Sequence, residues 1–289
     1  MKHSLIIILF ASLLGFGFSS DKPAYSLFDK VGKETKYSKM VDGLKDADIV
    51  FFGELHDNPI AHWLQIELTK DLYKEKKGNL ILGAEMFEAD NQLILSEYIG
   101  GVHKADKFEA DARLWTNYKT DYKPLVDFAL QSKIPFIATN IPRRYASLIN
   151  EMGFKGLKKL SPEALTYIGP DLERLYDSTV NCYKEMMKMG GDHVSSNLLK
   201  AQAAKDATMA HFIIKNFEIG KLFLHFDGSY HSDNFEGIVW WIKKLSPELK
   251  VMTISTVSQD TIAELNKEFI NRADFVLVIP ENMTKTNRK

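Results

Sequence analysis

"DIVFFGELHDNPIAHW", residues 48–63, carries the signals of a strand, a turn and a helix in immediate succession. The run from Asp48 to Gly53 is short and apolar without alternation, the pattern of a strand covered on both faces. Asp57 or Asn58 can then cap a helix whose first position is Pro59, and Ile60, Trp63, Leu64, Leu68 and Leu72 fall on its buried stripe. A strand that feeds a helix in this way is the unit from which parallel α/β sheets are made. The turn between them is crowded with Glu54, His56, Asp57, Asn58 and His62, more ionisable and amide chemistry than a connection requires.

Five further apolar runs read as strands: "NLILGAEM" (79–86), "IPFIATN" (134–140), "KLFLHF" (221–226), "KVMTIS" (250–255) and "DFVLVI" (274–279). Helical periods separate most of them, so the predicted class is α/β, a mostly parallel sheet of about six strands flanked by helices. Roughly 80 residues lie between the third and fourth of the six runs, far more than one crossover helix needs. They hold several helical patterns, among them "DLERLYDSTVNCYKEMMKM" (171–189) and "SSNLLKAQAAKDATMAHFIIKNF" (195–217). We expect residues 20–141 and 220–289 to form the sheet domain, and residues 142–219 a helical subdomain inserted over the carboxyl edge of the strands.

The opening residues, "MKHSLIIILFASLLGFGFSSD", combine a basic start, an apolar run and small residues at the spacing of a cleavage site. That is the pattern of a Sec signal peptide over residues 1–19, and the expectation is a periplasmic protein. The one cysteine, Cys182, is far from that point, so neither lipidation there nor an internal disulfide is expected. Without the leader's Lys2, 36 basic side chains face 38 acidic ones. This balance argues against a nucleic-acid partner, which would call for a basic stripe.

In an open parallel sheet, ligands bind beyond the carboxyl ends of the strands. Glu54 and His56 follow the first predicted strand, Glu85 ends the second, Asn140, Arg143 and Arg144 follow the third, and Asp227 and His231 the fourth. Taken singly, most have ordinary explanations: Asp57 and Asn58 as caps, Arg144 as a surface or ion-pairing arginine. Glu85 does not, because a carboxylate inside "LILGAEMF" costs several kcal/mol to bury alone. Glu54, His56, Glu85 and His231 are therefore the candidate catalytic set, and equally a candidate set of ligands for a divalent metal. Two carboxylates brought close repel unless a cation stands between them, so Glu54 and His56 are expected to reach toward Glu85, Arg143 and His231. There is no HExxH, C-x-x-C or G-x-S-x-G motif to announce a reaction.

The blocks "FFGELHDNPIAHWLQIEL", "GAEMFEADNQ", "YKPLVDFA", "IPFIATNIPRR" and "AQAAKDATMAHFI", with the spacing from His231 to Gly237, resemble the ChaN-type haem-binding uptake family. That family belongs to a superfamily with the Tiki, TraB and erythromycin-esterase proteins. The resemblance implies haem as ligand, a homodimer and outer-membrane uptake machinery as partner. It places cofactor-binding roles on His56, His62, Arg143, Arg144 and Asp206, and matches Gln202 to the same helix motif as Asp206. It also implies a tyrosine phenolate on ferric iron, for which Tyr118, Tyr122, Tyr176 and Tyr183 are candidates. The esterase and metalloprotease branches imply the alternative, a hydrolase that uses the same Glu/His cluster. This chain departs from the family where Lys205 replaces a usual tryptophan, and where "HFDGSYH" replaces a GxGH-like motif.

Overall fold

A computed structural model describes residues 22–190 and 195–286, so the expected leader lies outside the described residues. The chain runs β1 (Ser26–Asp29), α1 (Tyr37–Leu44), β2 (Ile49–Glu54), α2 (Pro59–Glu75), β3 (Leu80–Glu88), α3 (Gln92–Ile99), α4 (Ala105–Asp111), α5 (Lys123–Ser132) and β4 (Phe136–Asn140). It continues through α6 (Arg143–Met152), α7 (Pro162–Leu165), α8 (Leu172–Leu175), α9 (Asn181–Gly190), α10 (Ser196–Asn216), β5 (Leu222–Gly228), α11 (Ile238–Leu245), β6 (Val251–Gln259) and β7 (Phe275–Pro280). The seven strands form one sheet in the order β1-β7-β6-β2-β5-β3-β4. All neighbours are parallel except β1, which pairs antiparallel with β7.

All six expected strands are present, and β1 is one more than expected. Its four residues, SLFD, offer only two buried apolar side chains, too few for a pattern. Pairing with β7 makes it a strand, with Ser26 opposite Val278 and Asp29 opposite Phe275.

β2 lies between β5 and β6 and is buried along its whole length. Successive side chains on it point to opposite faces. Val50 and Phe52 join Leu64, Leu68 and Leu72 of α2 on one face, while Ile49 and Phe51 join Tyr183, Ala204 and Trp241 on the other. Two covered faces therefore account for the unbroken hydrophobic run. The residues between β4 and β5 supply α6 to α10, whose apolar sides share this second core with the sheet. Buried Ala203, Ala204, Ala207 and Ala210 line α10, which packs against β4, α6 and α11. The segment is thus a layer on the face of the sheet, with Met186, Gln202 and Lys205 reaching the pocket at the carboxyl edge.

The outer edge of β4 is closed by a side chain. The Gln92 amide donates to the Phe136 carbonyl (3.0 Å) and accepts from the Ala138 N–H (2.6 Å), as a neighbouring strand would.

Candidate functional site

The turn after β2 is built by Asn58, whose side-chain oxygen accepts the N–H groups of Ile60 and Ala61, each at 3.0 Å. With Pro59 at the first helical position, this starts α2 at once. Of the two expected caps Asn58 does the work, and Asp57 instead pairs with Lys285 at 3.1 Å.

Glu54 is buried and fully engaged. Its Oε1 accepts from the Tyr122 hydroxyl (2.6 Å) and faces His56 Nδ1 (2.9 Å), while its Oε2 accepts from Gln65 Nε2 (2.5 Å). His56 is the open member, its side chain 46% exposed and its ring edge-on to Trp115. Burial disfavours charge on that ring. The Glu54 hydrogen bond and the Glu85 carboxylate outweigh it, so His56 binds its proton more tightly than an ordinary histidine.

Across the strand ends lies a second group. Glu85 Oε2 accepts the Gly228 N–H at 2.8 Å, and Glu85 Oε1 stands 3.2 Å from His231 Nε2. The other nitrogen of His231 meets Asp206 Oδ1 at 2.5 Å, and Tyr183 donates to Asp206 Oδ2 at 2.9 Å. His231 is 6% exposed. Burial opposes its charge, but the two flanking carboxylates outweigh burial and hold it as an imidazolium well above the usual histidine range. Glu85 is the converse: burial would raise it, yet His231, His56 and the Gly228 N–H keep it far below the usual carboxylate range.

Gly228 separates the two groups. A Cβ there would meet His56 Cε1 at 2.7 Å and Nε2 at 2.8 Å, so the imidazole occupies the space a side chain would need. Behind the site, burial lowers His225 to about 3, against a smaller opposing effect of Glu85, and pushes Asp227 well above its ordinary range. Asp227 lies fully buried 3.1 Å from His225 Nδ1.

The structure brings Glu54, His56, Glu85 and His231 into the lining of one pocket of about 670 Å³. Met186, Gln202, Lys205, Tyr230, Met283 and Lys285 also line it. A cavity of about 550 Å³ beside Gln92 and Phe136 has only Lys133 as an ionisable lining residue. Asp206 stands behind His231, and His62 behind the turn between the His56 carbonyl (3.1 Å) and Gln65 (3.0 Å).

Several expectations are corrected. No arginine bridges the carboxylates: Arg143 and Arg144 are exposed outside the pocket, and Arg144 pairs with Asp90 at 2.6 Å and covers the Tyr145 ring. His56 and His231 fill that role. Among the described residues no group of three or more His, Cys, Asp or Glu is arranged to hold a metal ion. The reason is pairing: His231 has both nitrogens engaged by Glu85 and Asp206, and His56 is turned by Glu54 on the other side of Gly228. None of the four candidate tyrosines lines the pocket. Tyr122 donates to Glu54, Tyr183 to Asp206, and burial first of all raises the pKa of Tyr118, Tyr122, Tyr176 and Tyr183, opposing a phenolate.

Other contributors were not anticipated. Gln65 fixes Glu54, and Asn117 holds the His56 carbonyl (2.8 Å) and Asp121 (2.6 Å). Gln65 could have been found, since it lies one turn beyond His62 on the buried stripe of α2. Met283 and Lys285 follow β7, in a segment that gave no signal beyond a polar tail.

The family profile described as "Haem-binding uptake, Tiki superfamily, ChaN" matches residues 40–242. Among solved structures, ChaN of Campylobacter jejuni, described with cofacial heme binding, superposes at a TM-score of 0.66 with 20% identity, covering 88% of this chain and 96% of that one. A succinoglycan biosynthesis protein gives a TM-score of 0.51 at 11% identity, covering 84% and 90% of the two chains. An erythromycin esterase in its open conformation gives 0.47 at 13% identity, covering 80% and 77%, too distant to speak to shared chemistry. A search of curated proteins gave no match. At these identities the first two likenesses establish a common fold, and the profile match over most of the chain shows the family: the chain belongs to the ChaN-type haem-binding uptake family of the Tiki superfamily.

Proposed function

We propose that this protein binds ferric haem in the pocket beyond the carboxyl ends of β2, β3 and β5, and serves haem or iron uptake outside the cytoplasm. The observation that carries the reading is His56. Its Nδ1 is held by Glu54, it lines the pocket half-exposed, and its Nε2 has no hydrogen-bond partner among the described residues. A carboxylate on one nitrogen fixes the ring and raises the basicity of the other, the arrangement found behind metal-bound histidines. The donor set thus fits haem through an imidazole rather than the phenolate that the resemblance implies. Met186 and Met283 add apolar, polarisable wall, and the volume lies within the range of small-ligand sites.

Haem, if bound, would supply a ferric centre, which His56 would hold. The protein's own contributions are the oriented His56 and the fixed negative charge of Glu85. Export rests on the apolar leader in the sequence; a homodimer and handover to outer-membrane uptake machinery rest on the family alone. Titration of the purified protein with hemin should produce a saturable Soret shift of the imidazole-ligated type, lost in His56→Ala. A protein that leaves the hemin spectrum unchanged would sink the proposal.

A second reading is favoured by the same pair. A histidine oriented by a carboxylate beside a pocket is also a general base for water. Hydrolysis of p-nitrophenyl esters that disappears in His56→Ala, with no hemin binding by the parent protein, would replace the first reading with this one.

A further inference from the structure

Charge around the pocket is almost entirely matched. His56 faces Glu54, His231 is held between Glu85 and Asp206, and Lys285 is paired with Asp57. Lys205 differs: it is half-buried, lines the pocket, and makes no ion pair among the described residues. It is carried on α10 directly before Asp206 and three residues after Gln202, which approaches His231 at 3.1 Å. The buried Ala203, Ala204 and Ala207 fix this part of α10 against the core, so the lysine stem leaves a rigid backbone.

We infer that Lys205 is the anchor for a carboxylate on the ligand, and that the ligand is therefore an amphipathic organic anion bound in one orientation. Resting on the haem reading, this places a propionate at Lys205 and the iron face toward His56. The reason is electrostatic. Glu54 and Glu85 line the pocket and the His231 imidazolium has both nitrogens occupied, so with His56 turned to the iron an anionic group on that side meets like charge. Glu281 and Asp57 on the rim repel it further. An unmatched ammonium on the wall is the position where a carboxylate gains a charge-assisted hydrogen bond. Lys285, on the segment after β7, is a weaker second cation because Asp57 already shares its charge.

The test compares hemin with hemin dimethyl ester, which has the same ring and iron but no carboxylates, on the full protein in matched detergent. Parent protein should bind hemin roughly tenfold more tightly than the ester, the size of one charge-assisted bond. Lys205→Met should remove that preference by weakening hemin alone, Lys205→Arg should restore it, and Lys285→Gln should reduce it less. Equal affinity of the parent protein for both compounds, or equal weakening of both by Lys205→Met, would overturn the anchor while leaving haem binding intact. Failure of the parent protein to bind either would overturn the haem reading and the anchor with it.

Discussion

The pocket floor contains two carboxylate–histidine pairs built from neighbouring strand ends, one on each side of Gly228, and they are matched in composition but not in setting. Glu54 is held by neutral donors, Tyr122 and Gln65, and leaves His56 half in solvent with one nitrogen unengaged. Glu85 is held by a backbone N–H and by a histidine sealed against a second carboxylate. The first pair can exchange a proton or take a ligand. The second cannot do either without exposing a buried charge, and serves as a fixed electrostatic wall. The same residue types do different work because a third partner is present in one case and absent in the other.

The largest expected effect tests the sealed pair. Replacing His231 with Ala leaves Glu85 and Asp206 buried and unneutralised, which should cost about 3–5 kcal/mol of folding stability. Urea denaturation of His231→Ala and His56→Ala side by side should show the first far less stable and the second within about 1 kcal/mol of the parent. Equal losses would erase the distinction. Gly228→Ala comes next. The new methyl must displace the His56 ring, so we expect about 1–3 kcal/mol of overpacking cost and a weakened ligand affinity. Unaltered affinity would mean that the ring position is not what the ligand needs.

Tyr122→Phe removes one buried donor from Glu54 and should cost about 1 kcal/mol while leaving a hemin Soret band in place. Disappearance of the band would make Tyr122 the iron ligand after all. The smallest effect is in titration. The Glu85 contribution to stability is present above the ordinary carboxylate range and lost as pH falls through its depressed value. That of His231 is present below the ordinary histidine range and lost as pH rises through its elevated one. Their joint contribution is therefore fullest between the ordinary carboxylate and histidine ranges and declines as pH rises above the latter. The smaller contribution of His56, discounted for its exposure, fades as pH rises above the ordinary histidine range through its raised value. Imidazole NMR signals should show His56 titrating in that region, and His231 and His225 unchanged from pH 6 to 8. Titration of His231 there would break the comparison.

The sheet was legible because β2 to β7 are buried on both faces and so read as uninterrupted apolar runs; β1, with two apolar residues and a partner distant in sequence, carried no such mark. The Glu54, His56, Glu85 and His231 cluster was legible for a related reason, since polar residues at the ends of buried strands have few other places to go. What could not be read was pairing. That Glu54 is satisfied by Tyr122 and Gln65, leaving no role for Arg143, depends on distances between helices that a linear pattern does not encode. The same holds for the expected metal set: among the described residues no such group is arranged for an ion, and a list of good ligands does not say which have already bound one another.

The Gln92 side chain laid along β4 has a consequence for how this protein behaves at high concentration. A parallel sheet normally ends in a row of free backbone groups that another chain can extend, and a short edge strand with a side chain bonded across its middle is a poor template for that growth. Exchanging Gln92 for Ala would free the Phe136 carbonyl and the Ala138 N–H without touching the pocket, and light scattering over time would show whether copies begin to join through that strand into fibrous material.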